Sequence, residues 1–229
     1  MNKLKTTLFA ICSLVLVNVG TAIADSGNFA GPYLGLTISG YGMSLDGQSS
    51  ATSTDTAGDG QVTETDEVPI GATTPVSGFE VGYALPMGTN FLLDVGAAYY
   101  TGEAKLDHMG DDSDSIRKVS FKIDDLRAAY IAPTVVLSDT SSLYVKMGIS
   151  EADVTVSGDI TSPANLSGRT WGLGTRTVLD SGIFIRTEAG YTEYNGISAH
   201  GKGTTIQQTT AYSVEPTLAY GTVSLGFRF

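Results

Sequence analysis

VSLGFRF, residues 223–229, ends the chain on a strict alternation of apolar and polar side chains. The odd-numbered positions hold Val, Leu, Phe and Phe, and the even-numbered positions hold Ser, Gly and Arg. A period of two is typical of a β-strand whose two faces meet different surroundings. Terminal residues usually fray unless the fold ties them down. The alternation therefore predicts a last strand that is paired along its whole length, as far as Phe229.

The same period of two recurs in eight segments of the chain and predicts eight β-strands. Aromatic and β-branched residues are frequent in these segments, and no helical period lasts for three turns. The predicted strands are residues 31–44, 75–85, 91–105, 119–137, 143–156, 168–179, 183–194 and 212–229.

The connections between the predicted strands alternate between long and short. The short ones, PMGTN, SDTSS and DSG, have the composition of tight turns, whereas the long ones are rich in Ser, Thr, Gly and Asp. Antiparallel up-and-down strands with short turns at one end and long loops at the other are the plan of a transmembrane β-barrel. We therefore predict an all-β fold, an eight-stranded antiparallel up-and-down transmembrane β-barrel.

Most of the predicted strands have an apolar face and a face of glycine, small residues and charge. In the fourth strand, Leu126 and Tyr130 are assigned to the apolar face, and the neighbours Asp125 and Arg127 to the charged face. A soluble barrel would turn the apolar face inward, but a membrane barrel turns it to lipid and encloses a polar lumen. The glycines on the charged face favour the membrane form, because eight strands leave space only for packed side chains inside. Trp171 and the tyrosines are then expected in belts at the two lipid–water interfaces.

The charged residues on the predicted lumen face number four of each sign. A closed lumen needs this balance, since an unpaired buried charge is costly. The basic members could instead line an anion pore, although an eight-stranded interior is just filled by side chains and Tyr100 would help to block it. We therefore predict a lumen salt-bridge network, in which the partner of Arg186 is open. Its members are Glu80, Asp94, Asp125, Arg127, Lys146, Arg176, Arg186 and Glu188.

The start of the chain has the pattern of a secretory signal peptide. Lys3 and Lys5 precede an apolar run, and Thr-Ala-Ile-Ala ends at residue 24. We expect cleavage after Ala24, which leaves residues 25–229 as the barrel domain. That part has no cysteine and, without the two lysines, a formal charge of −13 in place of −11. A chain so acidic is not expected to bind nucleic acid.

The segment FAGPYLGLTISGYG (residues 29–42), the eight-strand plan and the terminal Phe resemble the OmpA-type outer-membrane β-barrel family, which includes the OmpX and opacity-like proteins. The resemblance implies a location in the outer membrane of a Gram-negative bacterium, among lipid and lipopolysaccharide. It also implies that the barrel-assembly machinery recognises Leu225, Phe227 and Phe229. We expect no peptidoglycan-binding domain after the barrel, so the resemblance is not taken to imply a role in anchoring the cell wall.

The first long loop contains a weak match to a calcium-binding loop. In DTAGDGQVTETD, Asp55, Asp59 and Asp66 fall at positions one, five and twelve, but the third position is alanine and no helices flank the loop. An acidic, solvated loop is the favoured interpretation, and we predict no cofactor. His108 and His200 also fall in long loops and are expected to be exposed to solvent and not catalytic.

The sequence predicts a role in the cell envelope and no enzymatic activity. Four acidic loops outside the cell would serve envelope integrity or contact an unknown extracellular ligand, on a barrel that we expect to be monomeric. A small porin-like channel and a lipid A-modifying enzyme are the two alternatives that stay open.

Overall fold

The computed structural model describes residues 25–54, 61–67, 70–108, 119–157, 165–179, 181–200 and 208–229. In this part of the chain a short 3-10 helix, Ser26–Asn28, precedes eleven β-strands. Among the described residues, no helix is long and apolar enough to span a membrane. The strands are β1 (Gly31–Thr54), β2 (Gln61–Glu67), β3 (Ile70–Pro86), β4 (Phe91–Thr101), β5 (Ala104–His108), β6 (Val119–Val136), β7 (Ser141–Ser157), β8 (Leu166–Val178), β9 (Ile183–Tyr194), β10 (Ile197–His200) and β11 (Gln208–Arg228).

Eight of these strands form a closed antiparallel barrel. Each barrel strand pairs with the next in the order β1, β3, β4, β6, β7, β8, β9, β11, and β11 pairs back with β1. The closing pair begins with Tyr33 opposite Arg228 and continues along the whole of β11. The Phe229 N–H also donates to the carbonyl oxygen of Pro32 (3.0 Å). The predicted eight-stranded barrel is therefore confirmed, and its last strand is paired to the end.

The remaining strands, β2, β5 and β10, lengthen the hairpins at the long-loop end of the barrel. β2 pairs with the last part of β1, β5 pairs with β6, and β10 pairs with β11. The sequence ends the first predicted strand at residue 44 and begins the second at residue 75, but β1 continues to Thr54 and β3 begins at Ile70. The extension of β1 is rich in Ser and Thr at odd and even positions alike. It therefore lacks the alternation that marks a strand between two different surroundings.

Three short turns lie at the opposite end of the barrel. They are residues 87–90, 137–140 and 179–182, and they join β3 to β4, β6 to β7 and β8 to β9. Gly182 has a φ of +80°, a left-handed conformation that glycine adopts readily because it has no Cβ. Its N–H donates to the carbonyl oxygen of Leu179 (3.0 Å) and closes the turn. The barrel therefore has a short-turn end and a long-loop end.

The outer surface of the barrel is apolar over its middle height. Large apolar side chains of neighbouring strands are exposed there, including Leu36 and Ile38 of β1 and Leu225 of β11. Such a continuous apolar surface is unusual on a soluble monomer and fits a lipid surrounding. Leu225, Phe227 and Phe229, the predicted assembly signal, all lie on this outer surface.

β6 departs from the faces that the sequence assigns to it. A β-bulge between Asp124 and Arg127 interrupts its pairing with β7, and Asp125 within the bulge has a φ of +50°. An extra residue in one strand moves the side chains that follow it to the other face. Leu126 and Tyr130 therefore point into the lumen, whereas Asp125 and Arg127 point outward, which is the reverse of the sequence assignment.

The tyrosines are divided between the lumen and the outer surface. The sequence assigns them to interfacial belts, but seven of those whose side chains the structure describes face the lumen, where most of their hydroxyl groups have polar partners. Trp171 lies half-buried on the outer face of β8. The inward tyrosines are Tyr33, Tyr41, Tyr100, Tyr130, Tyr144, Tyr194 and Tyr220.

Candidate functional site: the barrel lumen

Side chains fill the lumen in three layers along the barrel axis. An apolar layer lies at the short-turn end, three acid–base pairs lie in the middle, and a second apolar layer lies at the long-loop end. Each barrel strand contributes to this filling because every second side chain points inward. The three layers together determine whether a solute could pass through the barrel.

The layer at the short-turn end is built around Phe29, whose exposed fraction is 0%. The Ser26 N–H donates to the carbonyl oxygen of Thr89 (2.8 Å), and the Ser26 hydroxyl donates to that of Gly88 (2.6 Å). These bonds hold the 3-10 helix beneath the first short turn and place the Phe29 ring in the barrel mouth. The sequence does not predict this closure, because one apolar residue ahead of a strand makes no periodic pattern. The layer consists of Phe29, Tyr33, Ala84, Leu92, Val136, Val178 and Phe184.

The first acid–base pair joins Asp94 of β4 to Arg176 of β8. Arg176 Nη2 lies 2.7 Å from Asp94 Oδ1, and both side chains are almost fully buried. The Thr134 hydroxyl donates to the second carboxylate oxygen of Asp94 (2.7 Å). The Asp94 carboxylate therefore has a partner for each oxygen, as a buried charge requires.

The second pair joins Glu80 of β3 to Arg186 of β9. Arg186 Nη1 lies 3.0 Å from Glu80 Oε2, which also accepts from the Tyr130 hydroxyl (3.1 Å). The Arg186 guanidinium carbon lies 4.6 Å from the centre of the Tyr144 ring and 5.3 Å from that of Tyr33. Cation–π attraction of this kind is strongest where water is excluded, so the rings help to stabilise the buried guanidinium.

The third pair joins Lys146 of β7 to Glu188 of β9. Lys146 Nζ lies 2.8 Å from Glu188 Oε1, which also accepts from the Tyr220 hydroxyl (2.9 Å). The other carboxylate oxygen accepts from the Tyr144 hydroxyl (2.8 Å). Lys146 Nζ also lies 4.4 Å from the centre of the Tyr130 ring. With this pair, the middle layer carries three acids and three bases, and its formal charges cancel.

The layer at the long-loop end is apolar and aromatic. Tyr41 lies at its centre and meets the Tyr100 ring at 5.5 Å and the Tyr220 ring at 6.1 Å, both edge to face. A cavity of about 20 Å³ lies beside Tyr41, Tyr100 and Leu126, which is room for about one water molecule. The buried members of this layer close the lumen above the acid–base pairs.

Glycines on the inner wall make room for the aromatic rings. A Cβ on Gly96 would lie 2.6 Å from the Tyr130 ring, and a Cβ on Gly190 would lie 2.5 Å from the Tyr220 hydroxyl oxygen. Neither position has space for a methyl group. At these glycines, which the sequence places on the lumen face, the inward aromatic side chains pack directly against the backbone.

The structure brings six of the eight predicted lumen residues together as three pairs. It does not bring in Asp125 and Arg127, because the bulge in β6 turns them outward. Arg127 Nε lies 3.0 Å from Glu151 Oε2 on the outer surface, where both side chains are about half exposed. Asp125 accepts a hydrogen bond from the hydroxyl of Tyr99. The predicted balance of four acids and four bases is corrected to three of each.

The other predicted site residues are described only in part. Asp55 and Asp59 lie outside the described residues, and Asp66 lies in β2, so the calcium loop stays a prediction. In the described part of the chain, no group of His, Cys, Asp and Glu residues could hold a metal ion. His108 and His200 lie in the short strands β5 and β10, and their exposure stays a prediction. The predicted signal peptide, residues 1–24, is also outside the described residues.

Comparison with known proteins identifies the family of this barrel. A family model described as the outer membrane protein beta-barrel domain matches residues 9–227 of the chain. The match confirms the family resemblance and the outer-membrane location that the sequence predicts. No curated protein sequence matches the chain.

Solved structures with similar folds come from several bacteria. OprG from Pseudomonas aeruginosa is 14% identical, with 87% of this chain and 96% of that chain covered and a TM-score of 0.54. Ail, the attachment invasion locus protein of Yersinia pestis, is 12% identical over 80% of this chain and 98% of that chain, with a TM-score of 0.36. The outer membrane protease OmpT from Escherichia coli is 11% identical over 85% of this chain and 97% of that chain, with a TM-score of 0.40. The likeness to OprG shows the fold alone, and the other two carry no argument about function.

Proposed function

Because the chain belongs to the outer membrane protein beta-barrel domain family, we propose that it serves as a non-conducting structural barrel that holds its long loops outside the cell. In such barrels the short turns lie on the periplasmic side and the long loops on the extracellular side. The proposal assigns the function to the outside of the barrel, in envelope integrity and in contacts made by the loops.

The filled lumen is the observation that carries this proposal. Phe29 closes the periplasmic end, Tyr41 and Tyr100 close the extracellular end, and the buried acid–base pairs occupy the space between them. An ion could pass only if these pairs separated, and breaking a buried pair by removing one partner destabilises a protein by about 3–5 kcal/mol. A side-chain arrangement of this kind supports a scaffold and argues against a channel.

Conductance in a planar bilayer tests the proposal directly. We expect no steady channels from the purified wild-type barrel. The matched control is Glu80→Ala/Arg186→Ala, which removes the central pair but keeps both apolar layers and should also stay closed. A variant that opens all three layers, Phe29→Ala/Glu80→Ala/Arg186→Ala/Tyr100→Ala, should conduct and so shows that channels are detectable. Steady channels from the wild type would overturn the proposal in favour of the small porin.

The envelope role has its own test in cells. In a strain that lacks the gene, we expect greater sensitivity to detergents, and the wild-type gene should restore resistance. The control variant Glu80→Ala/Arg186→Ala should restore it equally, because the proposed role does not use the lumen. A variant with shortened long loops separates the two parts of the proposal, since a barrel that acts by itself would still restore resistance. Altered lipid A in the deletion strain, measured by mass spectrometry, would instead favour the enzyme alternative.

The proposed partners follow from the two surfaces of the barrel. The exposed apolar belt fits the acyl chains of lipid and lipopolysaccharide, and we propose that the barrel is monomeric within them. The outward Leu225, Phe227 and Phe229 are available to the barrel-assembly machinery before the barrel closes. The extracellular ligand, the third proposed partner, would be met by the loops.

A further inference from the structure

The residue that follows the predicted cleavage site lies beside an acid of the second short turn. The Asp25 backbone nitrogen is 3.4 Å from Asp139 Oδ1, and the Asn28 side-chain amide donates to the carbonyl oxygen of Asp139 (3.3 Å). Asp25 and Asp139 are both exposed at the short-turn end of the barrel. The start of the barrel domain is therefore placed against a carboxylate of the turn 137–140.

The position of Asp25 depends on contacts of the residues that follow it. The Ser26 N–H and hydroxyl are bonded to the first short turn, and the Phe29 side chain is fully buried in the barrel mouth. At the other end of this segment, residues 25–30, Arg228 Nη1 donates to the carbonyl oxygen of Ala30 (3.1 Å). These contacts use no residue before Asp25. We therefore expect the Asp25 nitrogen to keep its place when the preceding residues are removed.

An amide nitrogen makes little use of the Asp139 carboxylate. The 3.4 Å separation is longer than the commonest N–H···O distance of about 2.9–3.0 Å, and an amide offers one uncharged donor. Among the described residues, no basic side chain forms an ion pair with Asp139. The turn therefore presents a carboxylate to the backbone nitrogen that cleavage would convert into a cation.

Cleavage after Ala24 changes the chemistry of this nitrogen. A signal peptidase hydrolyses the bond between Ala24 and Asp25: the hydroxyl of water goes to the Ala24 carbonyl carbon, and the proton of water goes to the Asp25 nitrogen. The new carboxylic acid then loses a proton and the new amine gains one. We propose that the resulting α-ammonium group of Asp25 binds the Asp139 carboxylate, so that removal of the signal peptide fastens residues 25–30 beneath the barrel.

An ammonium group fits this site better than an amide does. It offers three N–H donors instead of one, and its charge shortens and strengthens a hydrogen bond to a carboxylate. An exposed ion pair contributes little to the free energy of unfolding of a whole protein. The expected effect is therefore local: the periplasmic mouth is held more firmly in the mature chain than in the precursor.

The ion pair also makes this attachment depend on pH. Two carboxylates face the α-amino group: that of Asp139, and that of Asp25 itself, which accepts from the Gly27 N–H (2.8 Å). The first short turn, residues 87–90, contributes no charged side chain. Nearby carboxylates favour the ammonium form and raise the pKa of an amine. The attachment is thus complete below the ordinary α-amino pKa of about 7.7–8.0 and is lost as the pH rises through the raised value.

The rate at which the α-amino group is acetylated tests the ion pair in the barrel purified from outer membranes. Only the uncharged amine reacts, so mass spectrometry of the N-terminal peptide across a range of pH gives its pKa. Asp139→Asn keeps a side-chain oxygen that can accept a hydrogen bond but removes the charge. We expect the α-amino pKa of this variant to be roughly half a unit lower, the shift that an exposed ion pair gives. The matched control is Asp153→Asn, which removes an acid of β7 at the long-loop end and should leave that pKa unchanged.

Hydrogen exchange shows whether the ion pair fastens the segment. Below the α-amino pKa, exchange in residues 25–30 should be several-fold faster in Asp139→Asn than in the wild type or in Asp153→Asn. The barrel strands should exchange alike in all three chains.

Four results would overturn the proposal. An intact mass that begins at a residue other than Asp25 would remove the ammonium group from the site. An α-amino pKa that is unchanged in Asp139→Asn would mean that the contact is a hydrogen bond without an ion pair. An equal fall in Asp153→Asn would indicate the net charge of the chain instead of a local contact. If Asp139→Asn does not assemble, the wild type decides, because equal α-amino pKa values in the folded barrel and in urea would show that the fold brings no carboxylate to the amine.

Discussion

Arg176 and Arg186 lie directly opposite each other on the neighbouring strands β8 and β9, inside the lumen. Like charges at such positions normally destabilise a sheet. Here each guanidinium turns to a different acid, Asp94 for Arg176 and Glu80 for Arg186. The Tyr33 ring lies near both guanidinium carbons, at 4.9 Å and 5.3 Å. Arg176 and Arg186 therefore each form a neutral pair across the lumen.

Arg186→Ala should destabilise the barrel strongly. It leaves Glu80 buried without its base, which costs about 3–5 kcal/mol. The matched control is Arg127→Ala, whose ion pair lies half exposed on the outer surface and contributes about 0–1 kcal/mol. Chemical unfolding in detergent measures both. Equal losses in the two variants would contradict the placement of Arg186 in a closed lumen.

Glu80→Ala/Arg186→Ala should be less destabilising than the sum of its two single substitutions. The double variant leaves neither charge unpaired, whereas each single variant leaves one. Unfolding of the wild type, both single variants and the double variant completes the cycle. Simple additivity would show that the two groups do not interact in the folded barrel, despite their 3.0 Å separation.

Gly96→Ala should be destabilising although alanine is small. Its Cβ would lie 2.6 Å from the Tyr130 ring, so the ring must move, and overpacking of this kind costs about 1–3 kcal/mol. Gly40→Ala is the control, because Gly40 faces outward and a Cβ there meets nothing within 4 Å. The unfolding free energy of Gly96→Ala should therefore be lower than that of Gly40→Ala. A harmless Gly96→Ala would mean that the Tyr130 ring lies elsewhere in the lumen.

Phe29→Ala should loosen the periplasmic end. Truncation of a fully buried Phe costs about 3–5 kcal/mol and removes the centre of the apolar layer. Hydrogen exchange in residues 25–30 should rise in this variant. Met87→Ala is the control at the same end of the barrel, since Met87 is 67% exposed. Unchanged exchange in Phe29→Ala would show that the 3-10 helix is held by its hydrogen bonds alone.

Deletion of Phe229 should separate assembly from stability. The ring is 71% exposed on the outer surface, and burial of a whole Phe side chain contributes roughly 1.5–3 kcal/mol, so the refolded barrel should stay compact on a gel. In cells, the outer-membrane level should fall well below that of the wild type, because unrecognised chains with unpaired edges aggregate or are degraded. Phe91→Ala, which also shortens an exposed ring at this end, should assemble normally. A normal level of the deletion variant would show that Phe229 is ordinary lipid-facing surface.

The sequence by itself determined the barrel. Lipid outside and a packed lumen inside give two different surroundings to each spanning strand, so the alternation of side chains is visible without any knowledge of contacts. The same alternation assigned the six paired lumen residues, among them Glu80, Asp94 and Lys146, to the inward face. It failed beyond the membrane belt, where β1 continues to Thr54 with polar residues on both faces.

The tertiary structure alone decided the pairing inside the barrel. Glu80 and Arg186 are 106 residues apart, and each base could have met any inward acid at its level, so sequence could not choose between them. The bulge at Asp125 was equally hidden, because both faces of β6 contain apolar residues and either could have faced lipid. On the inward face the Tyr130 hydroxyl has a carboxylate partner in Glu80, which it would lack in hydrocarbon. The alternation of inward and outward side chains is a local property of one strand, whereas a partner across the lumen exists only once the barrel has closed.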